Sequence, residues 1–525
     1  MIGVIAQQED HEIVSEFFEL FKTPWEYWRP QQTYDVVLCA AEEDFAKAAA
    51  LLVVVYSRRG NPARTSSPIQ PNCELRYQDR RIPIYEGCAA FGETESSLLA
   101  DAASGRSAIQ VESSGQGRLV RIAYDLFAEV RTLLTFGQPV SYAGVPTLEL
   151  HIALLRDLIT GSGLSLAEIP PVPAGYRFMA CLTHDVDHPL IRNHGLDHTT
   201  LGFLYRATVG SLAGMLRGRR SAREVLRNFA AVAKLPFVYL GLAKDFWSDF
   251  DRYPALEGGQ RSSFFVIPFR NRRGRRGAGE APSRRAAGYG AADITDQIRK
   301  LQAAGCEIGT HGIDAWTDSS AGRAELEEIR RVAGAGKAGI RMHWLYFDEQ
   351  SPQVLEAAGA DYDSTVGYNQ TIGYRAGTTQ VYRPPGCAHL LELPLHIMDT
   401  AMFYPDYLDL SRRNARIRAG QILDDAARFG GCVTVNWHDR SIAPERCWED
   451  FYTELIDEMK ERGAWFGTAG ETVAWFRQRR SAKFENAGAG PEAIRVRASA
   501  PAGKLPGLDL KIVNGSLQPA MASRG

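Results

Sequence analysis

No two of the eight cysteines (Cys39, Cys73, Cys88, Cys181, Cys306, Cys387, Cys432 and Cys447) stand at CxxC spacing. That scatter argues against a zinc ribbon or a disulfide scaffold, and for reduced, buried thiols that serve as small apolar side chains. Charge of one sign is also lacking. Sixty basic residues face 62 acidic ones, a formal net charge of −2, so no global field draws nucleic acid or acidic membranes, although local patches remain open. Long apolar runs are missing too: stretches 48–56 and 237–243 fall far short of the roughly 20 residues of a membrane-spanning helix. The first 19 residues are acidic and polar where a secretory signal has a basic start and an apolar core. The expectation is a cytoplasmic protein with no membrane span and no nucleic-acid partner. What is present is an ordinary globular composition, 45% hydrophobic and 10% aromatic, over 525 residues. That length implies two or three domains.

Residues 1–172 mix short apolar runs (36–40 and 51–56) with helical patterns at 119–136 and 147–158. This reads as an N-terminal α/β or α+β domain without a chemical motif. Residues 169–175, Ile-Pro-Pro-Val-Pro-Ala-Gly, cannot continue a helix and form a natural linker. From 176 to 480 a second pattern takes over, in which strand-length apolar runs end abruptly in polar residues and alternate with helical stretches at 293–304, 323–332, 351–358 and 449–462. Alternation of this kind implies a parallel sheet of the β/α barrel type, with function at the C-terminal ends of its strands. Residues 190–260 read as a helical insertion, 270–290 with seven arginines as an exposed loop, and 481–525 as a tail holding at most one extra strand at 508–513.

The polar strand ends carry the chemistry. The run Thr183, His184, Asp185, Val186, Asp187 sets two carboxylates two residues apart, hence on one side of a strand, where they call for a cation. His311, between Gly309 and Gly312, offers a neutral imidazole suited to a divalent metal. His343 stands two positions after Arg341 and so on the same face, and His438 ends the last such strand. Asp363 and Asp399 are candidates for orienting a histidine.

In order and spacing, residues 183–187, 262–266 (Ser-Ser-Phe-Phe-Val), 305–311 (Gly-Cys-Glu-Ile-Gly-Thr-His), 341–344 (Arg-Met-His-Trp) and 431–438 resemble the motifs of the polysaccharide deacetylases, carbohydrate esterase family 4. The resemblance covers roughly 176–478. It implies an irregular, partly open β/α barrel and a divalent metal, commonly zinc, held by one aspartate and two histidines. It also implies removal of an N-acetyl group from an amino sugar in a glycan or its precursor. Matched position by position, Asp185 takes the place of the base, Asp187 of the metal-binding aspartate, His311 of the first metal histidine, His438 of the acid, and Arg341 of the arginine that orients the base. The family's adjacent aspartates are split by Val186, which leaves open an exchange of roles between Asp185 and Asp187. The second metal histidine is replaced by Ala315, and His343 is the substitute, with His184, His188, His194 and His198 as the alternatives if His343 points away. Residues 383–386 (Arg-Pro-Pro-Gly) resemble the arginine motif more literally but come too late in strand order and read as a turn. A catalytically silent carbohydrate-binding barrel and an amidase acting on a non-sugar amide are the competing readings.

Overall fold

The computed structural model describes residues 1–40, 50–56, 70–88, 90–91, 98–114, 117–195, 197–277, 279–486, 494–498 and 505–517. Strands Ile2–Ile5, Trp25–Tyr27, Tyr34–Cys39, Ala50–Tyr56 and Gly117–Ile122 lie parallel in one N-terminal sheet, with Ile109–Ser114 antiparallel at its edge. Val36, Leu38, Leu52 and Val54 are buried against Phe17, Val130 and Leu155 of the helices that cover the sheet. Near-continuous apolar strands are what a helix-covered parallel sheet requires. Residues 119–136, expected to be helical throughout, begin instead as strand. The helix Leu126–Thr135 starts only after Asp125, whose carboxylate accepts the Phe127 and Ala128 N–H groups.

The second sheet carries the site. Its strands are β1 (Phe178–Val186), β2 (Ser263–Val266), β3 (Glu307–Gly312), β4 (Ile340–Met342), β5 (Ile397–Met398), β6 (Cys432–Asn436) and β7 (Ala464–Phe466). All pairings are parallel, in the order β4-β3-β2-β1-β6-β5, with β7 beside the first half of β1. Helices Thr295–Ala303, Ser319–Ala333, Ser351–Ala358, Arg412–Phe429 and Glu449–Glu461 run between the strands. Phe178, Ala180, Leu182, Phe264, Val433 and Val435 join one core with Leu326 and Leu455 of those helices, each large apolar side chain contributing about 1.5–3 kcal/mol by burial.

Two irregular segments close the barrel. Ile340 bridges Asp363, and Asp363 bridges Glu392. Leu395 N–H then donates to Val366 O, and His396 N–H to Thr434 O. Residues 363–366 therefore lie along the β4 edge, and residues 391–398 run beside them to end as β5 on β6. The fold is an irregular parallel β/α barrel joined to an additional N-terminal α/β sheet.

Between β1 and β2 the chain is mainly helical. The arginine-rich stretch 270–290 departs from the expectation of a plain exposed loop. Arg285 is buried and donates to the carbonyls of Arg273, Ile313 and His343, because a guanidinium's five donors suit a cluster of main-chain oxygens. Residues 169–175 form no regular element, and Arg479 Nε donates to Ile169 O and Pro170 O while its Nη groups reach Glu19 O and Leu20 O. The tail, expected to hold at most one extra strand, holds three among the described residues: Lys483–Asn486 pairs antiparallel with Ile494–Arg497, and Lys511–Val513 with Leu166–Glu168; residues 487–493, 499–504 and 518–525 lie outside the described residues.

Candidate metal centre

Parallel register gathers the polar strand ends at one rim. Thr183 pairs with Ser263 on one side and Asn436 on the other, and His311 pairs with Arg341. The glycines flanking His311 allow the close approach. A Cβ at Gly309 would stand 2.7 Å from the Phe265 ring, and one at Gly312 would stand 2.6 Å from Met342 Sδ. His343 follows β4 in a tight turn in which Trp344 and Leu345 take φ of 64° and 52°. That left-handed backbone is costly for large side chains and accumulates at functional sites.

Asp187, His311 and His343 converge. His311 Nε2 lies 3.2 Å from Asp187 Oδ1, His343 Nδ1 lies 3.3 Å from the same oxygen, and the two nitrogens are 3.0 Å apart. Each imidazole donates its outer N–H to a carbonyl, His311 Nδ1 to Arg341 O at 3.0 Å and His343 Nε2 to Arg285 O at 3.1 Å. A carbonyl only accepts, so in the neutral imidazoles both inner nitrogens present lone pairs to the centre. Burial keeps His343 neutral, pushing it down to about 4 despite the nearby Asp187 charge. Asp187 Oδ1 is buried without a hydrogen-bond donor. Two lone pairs and a carboxylate oxygen facing one another repel unless a cation lies between them. A tetrahedral cation with ligands about 2.0–2.1 Å away sets those ligands about 3.3 Å apart, so the residues present fit one. These three are the group among the described residues that could hold a metal ion.

Asp185 lies behind this centre, 3.8 Å from His311 Nε2. Its Oδ1 accepts from Arg341 Nη1 at 3.0 Å and its Oδ2 from Asn436 Nδ2 at 2.7 Å. Burial acts to raise its carboxyl, and His311, Arg341 and His438 outweigh that to keep it below the ordinary range. Arg341 is itself buried, bound to Thr183 Oγ1, Ser364 O and Ser364 Oγ, with its guanidinium over the Phe265 ring. On the opposite side, His438 Nε2 stands 3.9 Å from Asp187 Oδ2, and its Nδ1 lies 2.6 Å from Asp399 Oδ1. Burial would depress this imidazole, yet Asp399, Asp187 and Asp185 together push it up to about 10. The geometry can hold a cation, an ionised carboxylate and a protonated imidazole around one point.

All six residues singled out from the sequence therefore lie at one rim. Asp399, read there with less weight, orients His438. Asp363 does not touch a histidine; it adjoins Glu392 and accepts from Thr365 Oγ1 at 2.5 Å. His184 turns away into the core, held between Trp437 O at 2.7 Å and Glu257 Oε1 at 2.8 Å. His188 and His194 face each other at 3.2 Å, and His194 reaches Asp197 at 2.9 Å. Residues 383–386 form a turn, with Cys387 N–H donating to Pro384 O. Ala315 packs towards Gly322 of the following helix, where an added Cβ would lie 3.0 Å from the Ala315 Cβ. Asn436 and Arg285 escaped the sequence reading. Asn436 was legible only as a polar strand end, and Arg285 was hidden in an arginine-rich stretch.

A barrel with such a rim is the β/α class in which strand ends bear the chemistry. No known family matches the chain by sequence, and no curated protein does so. Among solved structures, the chain is similar to a protein from Mycobacterium smegmatis described as a polysaccharide deacetylase. The two are 19% identical with a TM-score of 0.36, over 59% of this chain and 95% of that one. It is also similar to a peptidoglycan N-acetylglucosamine deacetylase (10% identity, TM-score 0.27, 57% and 91% covered). A third match is a family 4 acetyl xylan esterase from Clostridium thermocellum solved with a cobalt ion (13%, 0.24, 57% and 91%). The polysaccharide deacetylases are the proteins whose motifs the sequence resembles.

Proposed function

We propose that the chain is a metal-dependent hydrolase that removes an N-acetyl or similar acyl group from an amino sugar in a glycan or glycan precursor. The observation that carries this reading is the unpartnered, buried Asp187 Oδ1 facing two imidazole lone pairs whose outer N–H groups are tied to carbonyls. Asp187, His311 and His343 would hold the cation, zinc being the expectation from the resemblance. When bound, a divalent metal polarises an acyl carbonyl and brings water towards ionisation at neutral pH.

The remaining work falls to the chain's own groups. Asp185 is kept ionised by Arg341 and Asn436, so it can accept a proton from the attacking water. His438 holds a proton on Nε2 because Asp399 engages Nδ1, and that proton is available to the departing amine. Arg341 fixes the Asp185 carboxylate through a buried fork rather than touching the acyl group.

The test combines metal analysis with acetate release. Purified protein should hold about one divalent ion per chain, lost in His311→Ala, and should release acetate from N-acetylglucosamine oligomers or lipid-linked amino sugars. Metal-free protein that still binds glycans would sink the hydrolase reading in favour of a binding barrel. Release confined to small non-sugar amides would redirect it to an amidase.

A further inference from the structure

Directly after Asp187 the chain leaves the rim of the site as a helical hairpin. Its first arm joins helix His198–Tyr205, a π-turn at Arg206–Gly210 and helix Ser211–Leu216. The second arm, Ala222–Tyr239, is opened by a capping box between Ser221 and Glu224. The base of the hairpin is tied to the site side: His188 faces His194, and Tyr239 Oη donates to the carbonyls of Ile191 and His194.

Both arms have an inner apolar stripe. Phe203 and Ala207 of the first, and Ala231, Leu235 and Val238 of the second, share one buried cluster with Ile191 and Trp247. Folding needs only that face to be apolar. Yet each arm carries a second apolar stripe on its outer side. On the first, Leu201, Tyr205, Val209, Leu212 and Leu216 recur every three or four residues at 43–86% exposure. On the second, Leu226, Phe229, Phe237 and Leu240 are 39–72% exposed, with the exposed Ala233 filling the turn between Phe229 and Phe237. Because the inner stripes meet in one cluster, the outer stripes point away from it. Twelve of the eighteen exposed large apolar side chains among the described residues fall between 201 and 242. That density is far from the single scattered residues of an ordinary surface.

Charge says what covers it. Between residues 198 and 244 the sequence has eight lysines and arginines and a single acid, Glu224, in a chain whose net charge is −2. Arg223, Arg227 and Lys234 follow one another at helical spacing beside the outer stripe of the second arm, all exposed. An apolar stripe flanked by long basic side chains fits the boundary between acyl chains and anionic headgroups, where the cations reach outward to phosphate. The helices are not built to span: no helix among the described residues is long and apolar enough to cross a membrane.

We propose that this hairpin docks in the plane of an anionic lipid bilayer and holds the barrel rim near the membrane surface. The docking itself does not depend on the hydrolase reading. Its consequence for substrate, an amino-sugar glycan held at a membrane, does rest on that reading.

Vesicle co-sedimentation tests it on the full chain, with no activity readout. The wild type should pellet with vesicles containing phosphatidylglycerol and stay in solution with phosphatidylcholine alone, and rising salt should weaken the binding. The double variant Leu216→Glu/Leu240→Glu should lose binding roughly tenfold or more, and Arg223→Glu/Lys234→Glu likewise, both with the melting temperature of the wild type because these side chains are exposed. Three outcomes overturn the proposal: no binding by the wild type, equal binding to both lipids, or unchanged binding by folded variants. A fourth is a wild-type dimer in sedimentation velocity without vesicles that the leucine variant dissolves, which would assign the stripes to a second copy of the chain. Acetate release without vesicle binding would refute docking and leave the hydrolase standing; binding without release would do the reverse.

Discussion

Asp399 grips His438 twice: its Oδ1 lies 2.6 Å from the ring Nδ1, and its Oδ2 accepts the His438 main-chain N–H at 2.7 Å. Ser441 Oγ donates to the same Oδ2. The ring orientation and the position of its proton are set together. Asp399→Asn should therefore lower kcat by about 10²–10⁴-fold with little change in KM or metal content. Steady-state kinetics on the best substrate of the panel checks this, and a variant that loses metal instead would reveal a different role.

His343→Ala should cut metal affinity by at least about 10-fold while the barrel remains folded, measured by metal titration. Adding Ala315→His should not rescue it, because residue 315 faces Gly322 of the neighbouring helix. Recovery of binding in the double variant would show that position 315 can reach the centre after all.

Arg341→Lys should be severe despite keeping the charge. An ammonium cannot span Thr183, Asp185 and both Ser364 oxygens at once. Leaving the buried Asp185 poorly paired should cost roughly 3–5 kcal/mol in denaturant unfolding, together with most of the activity.

Removal of bound metal should destabilise the fold, because the three donors repel once the cation is gone. Chelation should lower stability by about 2–4 kcal/mol relative to saturating zinc, and His311→Ala should show no such difference. Thermal melts with and without chelator decide it.

A carboxyl pair away from the centre predicts a pH dependence. Asp363 Oδ2 and Glu392 Oε2 are buried neighbours without other donors, as two carboxyls sharing a proton would be. Burial pushes Asp363 up to about 6, from an ordinary 3.8, and raises Glu392 well above its usual range, with Asp363 adding to it. Groups raised by folding contribute stability that is complete below their ordinary pKa and is lost as pH climbs through the raised values. The wild type should thus lose roughly 1–3 kcal/mol between pH 4 and 7 from this source. Glu392→Gln, which supplies the donor without a titrating proton, should flatten that part of the curve.

The sequence was most readable where periodicity and polarity changed together. Helix 351–358 and the strands that deliver Asp187, His311 and His438 lie where apolar runs stop at polar residues. The joining of the six rim residues followed from parallel strand order. Closure of the barrel was not readable, since residues 363 and 392 pair through isolated bridges that leave no alternating pattern. Residues 119–122 were read into a helix because Leu119, Val120 and Ile122 suit either period, and only the cap at Asp125 separates strand from helix. Arg285 and Glu257 defeated composition: their partners lie far away in sequence, and nothing local distinguishes a buried arginine from a solvated one.

Arg479 extends this lesson to the whole chain. Its guanidinium, fully buried and pushed down to about 10 by desolvation, is satisfied almost wholly by main-chain oxygens from two helix-end residues near position 20 and from the proline-rich stretch at 169–170. The last long helix, Ala469–Ser481, thus acts as a keystone for the first, His11–Phe21. The N-terminal sheet and the barrel should melt in a single calorimetric transition, and a chain cut before residue 479 should lose cooperativity in its N-terminal half although the cut lies more than three hundred residues away.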